Sequence, residues 1–279
     1  MPSSNSVATC ILATYNSADT LPLALNSLLA QSIPVEIIVI DDGSTDNSLQ
    51  ILQKYSSKIT LIQQDHQGPA IARNLGANSA TTPILLFVDA DMTFDKHYVK
   101  DLTKPIQSGK VVGTYTIKEK VANWDNPIAR CWNIEEGWEN ELRFPKNPPK
   151  WGTDYRAILA SEFRKVSGFD NIGYTDTWTL FKKLGKRPLA TRAVCYHHNP
   201  DSYSAVYRQA KWAAKRPYKL GLLGALYAIF RSSLPISLVV GIVRSISHAT
   251  PQYFTFKIVY DFGRVIGIIQ MLLTGSLAK

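Results

Sequence analysis

The chain has 279 residues, 45% of them hydrophobic and 19% charged, a composition that is typical of globular proteins and excludes a disordered chain. Its formal net charge is +9, yet residues 201–279 hold ten Lys and Arg against two Asp and Glu, a net of +8 that leaves +1 for residues 1–200. This basic segment is rich in Leu, Ile and Val, unlike nucleic-acid-binding arms, so it favours an anionic membrane surface over nucleic acid.

Two patterns alternate along the first ninety residues. Apolar runs predict strands at 7–15, 35–44, 58–64 and 83–92, and helical spacing of apolar residues predicts helices at 19–32, 46–57 and 69–80. Near-continuous apolar strands that alternate with helices predict an α/β fold, with a mostly parallel sheet flanked by helices. Polar residues that follow the strands then meet at the carboxyl edge of the sheet, where such folds bind ligands.

The pattern is less regular in the second half of the chain. We expect helices at 126–143, 161–170 and 174–185, and a strand at 187–199 that ends in two histidines. Apolar and basic helices are expected beyond this strand. The predicted domains are an α/β domain over 1–200, with halves at 1–105 and 106–200, and a helical segment over 201–279.

Two carboxylates one residue apart, Asp89 and Asp91, end the apolar run ILLFV. Burying uncompensated charge is costly, and alternate residues of an extended segment point the same way, so both acids can face one divalent cation. Mg²⁺ or Mn²⁺ would neutralise them and leave positions for phosphate oxygens. The alternative is a helix N-cap beside a surface acid.

A second pair of acids, Asp41 and Asp42, ends an earlier apolar strand just before Gly43. At the corresponding edge of dinucleotide-binding folds a carboxylate accepts a hydrogen bond from ribose, and turn and N-cap chemistry is the alternative. Further along, Gly68 and a proline open a helix that carries Arg73. This arginine either pairs with a phosphate or carboxylate of the site or is a surface charge.

Four motifs occur in one order: ATYN (13–16), IVIDDGSTDNS (38–48), GPAIARNLG (68–76) and LLFVDADM (85–92). Over about residues 5–200 the chain resembles the family 2 glycosyltransferases, which have the Rossmann-like GT-A fold. The resemblance implies an inverting sugar transfer from a nucleotide-diphosphate sugar, of UDP or GDP type, to an acceptor hydroxyl. The implied donor-binding residues are Thr14, Tyr15, Asn16, Asp41, Asp42, Gly68, Arg73, Asp89 and Ala90.

The acid-rich loop late in the family's domain resembles SGFDNIGYTD (167–176), where the usual Glu-Asp pair reads Thr175-Asp176. The resemblance implies Asp176 as the catalytic base, with Asp154 as the reserve candidate, and the threonine puts the usual acceptor recognition in doubt. The alternative for Asp176 is a helix N-terminal acid. The predicted acceptor-binding residues are Trp151, Gly152, Thr153, Asp154 and Thr175.

The strand end CYHHN (195–199) resembles the histidine-containing strand end of the same family. Adjacent strand residues face opposite ways, so only one of His197 and His198 is expected at the site, where a neutral imidazole can ligate an Mn²⁺-like ion. The predicted metal ligands are Asp89, Asp91 and His198. A packed or exposed histidine is the alternative.

The C-terminal segment combines a basic helix with apolar stretches. Arg208, Lys211 and Lys215 share one helical face beside Trp212, as on helices that bind anionic headgroups. A span needs about 20 apolar residues, and residues 220–243 reach that length only by including an arginine and a proline. We therefore expect monotopic association with the cytoplasmic membrane face. Packing on the catalytic domain or a homo-oligomer interface is the alternative for this apolar surface.

Together these features predict a metal-dependent inverting glycosyltransferase that acts at the membrane on a lipid-linked or glycan acceptor. The lipid part of this prediction rests on the C-terminal segment alone. A nucleotidyltransferase also uses strand-end acids and a metal, but ATYNSAD lacks the Gly-rich, basic loop expected there. A catalytically silent nucleotide-sugar-binding module is the third possibility, because Thr175 stands in place of Glu.

Overall fold

The computed structural model describes residues 6–138, 140–172 and 177–277. Within these ranges the chain forms one eight-stranded sheet and eleven helices. The strands are β1 (Thr9–Thr14), β2 (Glu36–Asp41), β3 (Thr60–Gln63), β4 (Ile84–Asp89), β5 (Met92–Phe94), β6 (Gly113–Val121), β7 (Ala157–Leu159) and β8 (Leu189–His197). The helices are α1 (Leu21–Leu29), α2 (Ser48–Gln53), α3 (Pro69–Ser79), α4 (Tyr98–Gln107), α5 (Pro127–Glu136), α6 (Ala160–Lys165), α7 (Thr177–Leu184), α8 (Tyr203–Ala214), α9 (Gly221–Arg231), α10 (Leu234–Ser247) and α11 (Gln252–Thr274).

The first four strands form the parallel part of the sheet, whose strand order is β3-β2-β1-β4-β7-β6-β8-β5. β1 pairs in parallel with β2 and β4, and β2 pairs in parallel with β3. Successive residues of β1 enter two different apolar clusters, Ile11 in one and Leu12 in the other. Both faces of β1, β2 and β4 are therefore covered, which is why these strands are near-continuous apolar runs, whereas β3 at the sheet edge is partly exposed. The predicted α/β fold is confirmed.

The rest of the sheet is antiparallel. β7 pairs with β4 and β6, and β8 pairs with β5. In the β5–β8 pair, Met92 is opposite His197. This register brings the residue before Met92, which is Asp91, close to the end of β8.

Several of the predicted helices are shorter than expected, and the one predicted at 46–57 spans only Ser48–Gln53. The helix predicted at 126–143 ends at Glu136, because Gly137 adopts a left-handed conformation with φ of 72°. The helix predicted at 161–170 ends at Lys165, and both Ser167 and Gly168 follow with positive φ. Left-handed residues cannot continue an α-helix, so the polar and glycine residues here end the helices early.

The chain divides into two compact units. Among the described residues, the first unit takes those within Met1–Lys120, Asn147–Asn171 and Asp176–His197, and the second takes those within Val121–Lys146, Ile172–Thr175 and His198–Lys279. In the second unit α5 packs with the C-terminal helices around a cluster that includes Trp132, Val206 and Phe256. The predicted domain boundary at residue 200 stays a prediction.

The second unit also contains buried ion pairs. The ammonium of Lys257 lies 2.8 Å from a carboxylate oxygen of Glu135 and 3.1 Å from one of Asp261. Ser237 donates a 2.7 Å hydrogen bond to the same Asp261. No single helix in the described ranges has the length and hydropathy of a membrane span, whereas α9 and α10 pass that test only as a pair, bent by 56°.

Candidate active site

The register of the parallel strands places three of the predicted donor-binding residues side by side. Thr14 is opposite Asp41 on β2, and Ala13 is opposite Asp89 on β4. All three polar residues therefore lie at the carboxyl edge of the sheet, as the strand pattern predicts. They belong to the first compact unit, as do the other residues of the network described next.

Asp89 is held by two arginines. Its Oδ1 accepts from Nη2 of Arg73 at 2.8 Å, and its Oδ2 accepts from Nη1 of Arg156 at 3.0 Å. Burial opposes ionisation of Asp89, but the positive charges of both arginines outweigh it and hold the pKa well below its ordinary value. Each carboxylate oxygen keeps a further lone pair with which it can bind a cation. The predicted role of Asp89 as a metal ligand stays a prediction.

A chain of ion pairs leads from Arg156 to Asp91. Nη2 of Arg156 lies 3.2 Å from Oε2 of Glu119, whose Oε1 lies 2.8 Å from Nδ1 of His197. Nε2 of His197 in turn lies 3.1 Å from Oδ2 of Asp91. Asp89 and Asp91, the two acids of the DAD motif at residues 89–91, are thus joined through three other side chains. Glu119 and Arg156 were not predicted, because neither lies in a local motif.

His197 lies between two carboxylates, and this arrangement bears on whether a divalent cation fits the site. A neutral imidazole has one N–H donor, and both of its neighbours here are acceptors. A divalent cation between Nε2 and the Asp91 carboxylate would turn these two facing acceptors into two ligands. Two ligands at adjacent corners of an octahedron, each about 2.1 Å from Mg²⁺, are about 3.0 Å apart. The observed 3.1 Å between Nε2 and Oδ2 fits such a pair.

The described residues offer only part of a metal shell at this point. The described residues contain no group of three or more His, Cys, Asp or Glu that is arranged to hold a metal. Mg²⁺ is commonly bound by one or two carboxylates together with substrate phosphates, so a partial set fits a site that a phosphate ligand completes. Glu119 accepts from the other ring nitrogen, as partners of metal-bound histidines do. The predicted ligand His198 lies in the second unit, and its role stays a prediction.

Two buried polar atoms at the strand edge find no partner among the residues that the structure describes. Within the described residues, Oγ1 of Thr14 and Oδ1 of Asp41 have no hydrogen-bond partner, and both residues are about 3% exposed. An unsatisfied buried group costs about 1–3 kcal/mol, so native proteins rarely keep one without a use. The pair fits a site where polar groups of a ligand complete the hydrogen bonds.

Asp42 differs from its neighbour because its oxygens are already engaged. Oδ1 accepts from the backbone N–H of Gln67 at 2.9 Å and from the Gln64 amide, and Oδ2 accepts from the N–H of Gly68 at 2.9 Å. Nδ1 of His66 also lies 2.9 Å from Oδ2. Asp42 therefore fastens the loop before α3. Gly68 has φ of 98° in that loop, a conformation that favours glycine.

Tyr15 and Asn16 follow β1 and have different surroundings. The Tyr15 ring is 42% exposed and stacks on His66 with the ring centroids 4.0 Å apart. Asn16 has φ of 50°, and its Oδ1 accepts from the backbone N–H of Thr45 at 2.8 Å. Asn16 thus ties the loop after β1 to the loop after β2. Ala90 packs in an apolar cluster of the core.

The predicted acceptor-binding residues begin at an exposed tryptophan. Trp151 forms a β-bridge to Leu189, and Gly152 lies so close to the Tyr115 ring that a Cβ would come within 2.8 Å of it. Thr153 is exposed. Thr175 and the predicted catalytic base Asp176 lie outside the described residues.

Asp154 is an acid of this segment with an unsatisfied atom. Its Oδ1 is buried and has no hydrogen-bond partner in the described part of the chain. Burial raises the pKa of its carboxyl above the ordinary value, although the charges of Arg156 and Arg73 oppose the rise. Asp154 thus shares the electrostatic environment of the arginines that hold Asp89. A raised pKa suits a general base that acts near neutral pH.

The amino-acid sequence is similar to several glycosyltransferases. The chain is 39% identical over 108 residues to an uncharacterized glycosyltransferase of Nostoc sp., covering 37% of this chain and 34% of that protein. It is 39% identical over 98 residues to the poly(ribitol-phosphate) β-N-acetylglucosaminyltransferase TarS of Staphylococcus aureus, covering 33% of this chain and 17% of TarS. It is 31% identical over 224 residues to the poly-β-1,6-N-acetyl-D-glucosamine synthase of Staphylococcus epidermidis, covering 73% and 53%. The chain thus matches between 17% and 53% of the length of these relatives.

Solved structures share the fold. The mannosyltransferase PcManGT of Pyrobaculum calidifontis, in complex with GDP-Man and Mn²⁺, superposes with a TM-score of 0.60 at 18% identity, covering 99% of this chain and 89% of that chain. TarS residues 1–349 in complex with UDP-GlcNAc give a TM-score of 0.56 at 17% identity, covering 98% and 93%. At this identity the structures show the GT-A-like fold alone.

The family assignment rests on a longer match. Residues 9–159, more than half of the chain, match the family described as glycosyl transferase family 2. This range contains the strand-end residues Thr14, Asp41, Asp89 and Asp91, and also Arg156 and Glu119, so the match covers the network of the first unit except for His197. The protein belongs to glycosyl transferase family 2.

Proposed function

We propose that this glycosyltransferase moves a sugar from a nucleotide-diphosphate donor to an acceptor hydroxyl, with inversion at the anomeric carbon and with help from a divalent cation. The observation that carries the proposal is the network from Asp89 through Arg156, Glu119 and His197 to Asp91. It gathers carboxylates and guanidinium groups at the sheet edge where α/β folds bind nucleotides. The complexes of PcManGT with GDP-Man and of TarS with UDP-GlcNAc support a donor of this class.

The donor nucleoside takes the unsatisfied atoms of Thr14 and Asp41. The Asp41 carboxylate accepts from a base N–H or a ribose hydroxyl, and the Thr14 hydroxyl donates to a ligand oxygen. The exposed Tyr15 ring beside them offers a flat surface for a base. Asp42 contributes by holding the 64–68 loop in place.

Asp91 and His197 would hold Mn²⁺ or Mg²⁺, with Glu119 fixing the orientation of the ring. When bound, the ion supplies positive charge for the departing diphosphate. Arg73, held in place by Asp89, adds a second positive charge beside the same edge. This arrangement favours cleavage of the bond between the anomeric carbon and the diphosphate oxygen.

Asp176 is the proposed base, and Asp154 is its alternative. The carboxylate takes the proton of the acceptor hydroxyl while the hydroxyl oxygen bonds to the anomeric carbon and the diphosphate leaves with the bonding electron pair. Attack from the side opposite the diphosphate inverts the configuration in one step. No covalent intermediate with the protein is needed.

The proposed acceptor is a lipid-linked or glycan hydroxyl at the cytoplasmic face of a membrane. The lipid part depends on the basic, apolar helices of the second unit. Cys10, Cys131 and Cys195 are buried, and no disulfide joins them in the described part of the chain, which is in keeping with a reducing compartment.

The test is a donor screen with Mn²⁺ or Mg²⁺, starting with UDP-GlcNAc and GDP-Man, with the products identified by mass spectrometry. We expect release of a nucleoside diphosphate and no reaction in the Asp91→Ala variant. Release of pyrophosphate from a nucleoside triphosphate would instead identify a nucleotidyltransferase. Donor binding without turnover, even with acceptors supplied, would identify a silent binding module.

A further inference from the structure

Helix α9 exposes large apolar side chains along one face. Leu223 is 72% exposed and Phe230 64% exposed. The exposed apolar residues of this helix are Leu222, Leu223, Leu226, Tyr227 and Phe230. They recur at intervals of three or four residues, so they share a face. The face directed into the unit instead carries small residues, Ala225 and Ala228, packed with Ile268 of α11.

Helix α10 repeats this arrangement. Its exposed apolar residues are Leu234, Leu238, Val239, Ile242, Val243 and Ile246. Its buried positions are Ser237, which bonds to Asp261, and Gly241, where a Cβ would come within 3.2 Å of the Phe254 ring. The large apolar residues face outward and the small or polar residues face inward, which is the reverse of a helix on a water-soluble protein. Exposed apolar area of this extent marks an interaction surface.

Most charges beside this surface are positive, although Arg244 and Lys257 pair with Glu135 of α5. Residues 202–260 contain eight Lys and Arg and no Asp or Glu. Lys219 precedes α9 and Arg231 ends it, and both side chains are exposed. Long basic side chains at the ends of an apolar helix can reach a headgroup layer while their stems stay in apolar surroundings. A polybasic segment of this kind is attracted to anionic lipids.

The lengths of the two helices favour a position parallel to the bilayer. The hydrocarbon core of a bilayer is about 30 Å thick, while the 11 residues of α9 extend about 16 Å. The 56° bend to α10 prevents the pair from forming one straight span. Together these features fit helices that lie within one leaflet.

We propose that the outward face of α9 and α10 lies in one leaflet of an anionic lipid bilayer, with its apolar side chains among the acyl chains and its basic residues at the headgroups. This surface would anchor the protein beside lipid-borne acceptors without crossing the membrane. A second copy of the chain fits the surface less well, because pairing two such faces would bring together the exposed basic residues Lys219 and Arg231 of both copies.

The first test is flotation of the full chain with vesicles of phosphatidylcholine alone or with about a third phosphatidylglycerol. We expect the wild type to float with the anionic vesicles. In the double variant that carries both Val239→Glu and Val243→Glu, the vesicle-bound fraction should be at least tenfold lower. Both positions are exposed, so the thermal midpoint of the variant is expected to match the wild type. The control is Leu23→Glu on α1, also exposed and apolar, which should float like the wild type.

A second test distinguishes insertion from electrostatic adsorption. Val243→Trp should gain fluorescence quenching by lipids brominated in the acyl chain, and Leu23→Trp should not. Equal flotation of the wild type and the double glutamate variant would overturn the proposal. The proposal would also be overturned if the wild type formed a defined dimer and the double glutamate variant were monomeric, while both bound vesicles equally. Unlike a failed donor screen, either result would leave the proposed sugar transfer intact.

Discussion

Oε1 of Glu119 lies 2.8 Å from Nδ1 of His197, while the other nitrogen of the ring lies 3.1 Å from Asp91. Glu119 thereby fixes the orientation of the imidazole ring, so that Nε2 is directed at Asp91 of the DAD motif. Its second oxygen holds Arg156, which in turn holds Asp89. One buried glutamate thus positions groups beside both acids of the motif.

Replacing Glu119 with alanine should weaken Mn²⁺ binding in the presence of nucleoside diphosphate by about 10- to 100-fold, because the His197 ring loses the partner that orients it. Titration calorimetry measures this directly. Glu119→Gln keeps an acceptor for the N–H of the ring and should recover part of the affinity. Equal Mn²⁺ affinity in wild type and Glu119→Ala would remove Glu119 from the metal site.

Replacing Arg156 with methionine should lower the free energy of unfolding by about 3 kcal/mol, because Asp89 and Glu119 both lose a largely buried partner. Urea denaturation measures the loss. Arg164→Met is the control. Its guanidinium donates to backbone carbonyls, at 2.7 Å to Ala80, and the expected loss is about 1 kcal/mol. Equal losses in both variants would contradict the importance of the network for stability.

Thr14→Val removes a buried hydroxyl that lacks a partner in the described residues. We expect the free energy of unfolding of the ligand-free protein to stay equal or rise by about 1 kcal/mol, and donor affinity to fall several-fold. Thr9→Val on the same strand is the matched control, because the Thr9 hydroxyl contacts Thr82 at 2.7 Å and also bonds to Glu36. That variant should lose stability and keep its donor affinity. The opposite pattern would mean that Thr14 does not contact the donor.

Asp176→Asn should abolish sugar transfer and preserve donor affinity, if Asp176 removes the acceptor proton. Asp154→Asn should have the smaller effect on kcat. Should the reverse hold, Asp154 is the base. Because burial raises the pKa of Asp154, the rate would then rise with pH through a value above the ordinary pKa of aspartate, about 3.9, and stay high above it. Initial rates between pH 4 and pH 8 for both variants decide between them.

The parallel part of the fold was predictable because its signal is local. Each strand from β1 to β4 is an apolar run ended by polar residues, and a helix with its own periodicity follows β1, β2 and β3. The antiparallel part gave a weaker signal. β8 lies within the strand predicted at 187–199, but β5 and β7 have three residues each and β6 reads GTYTIKEKV. Short or polar strands are set by their partners in the sheet rather than by their own pattern.

The residues of the site also divide into those that a local motif predicts and those that only strand pairing brings together. The acids at the ends of β2 and β4 follow from motif and strand position, and the structure places them at one edge. Glu119 and Arg156 lie on or beside the antiparallel strands, so only tertiary pairing brings them to that edge. The choice between His197 and His198 also depends on pairing, because the β5–β8 register places His197 opposite Met92.

The anchoring of the 64–68 loop by Asp42 has a consequence for the rate of donor association. Because backbone N–H groups of Gln67 and Gly68 are already bonded to Asp42, the 64–68 loop is held in place without a bound nucleotide. The nucleotide then loses its own freedom on binding but does not have to order the loop as well. Donor capture should therefore proceed in a single kinetic phase whose rate is proportional to donor concentration.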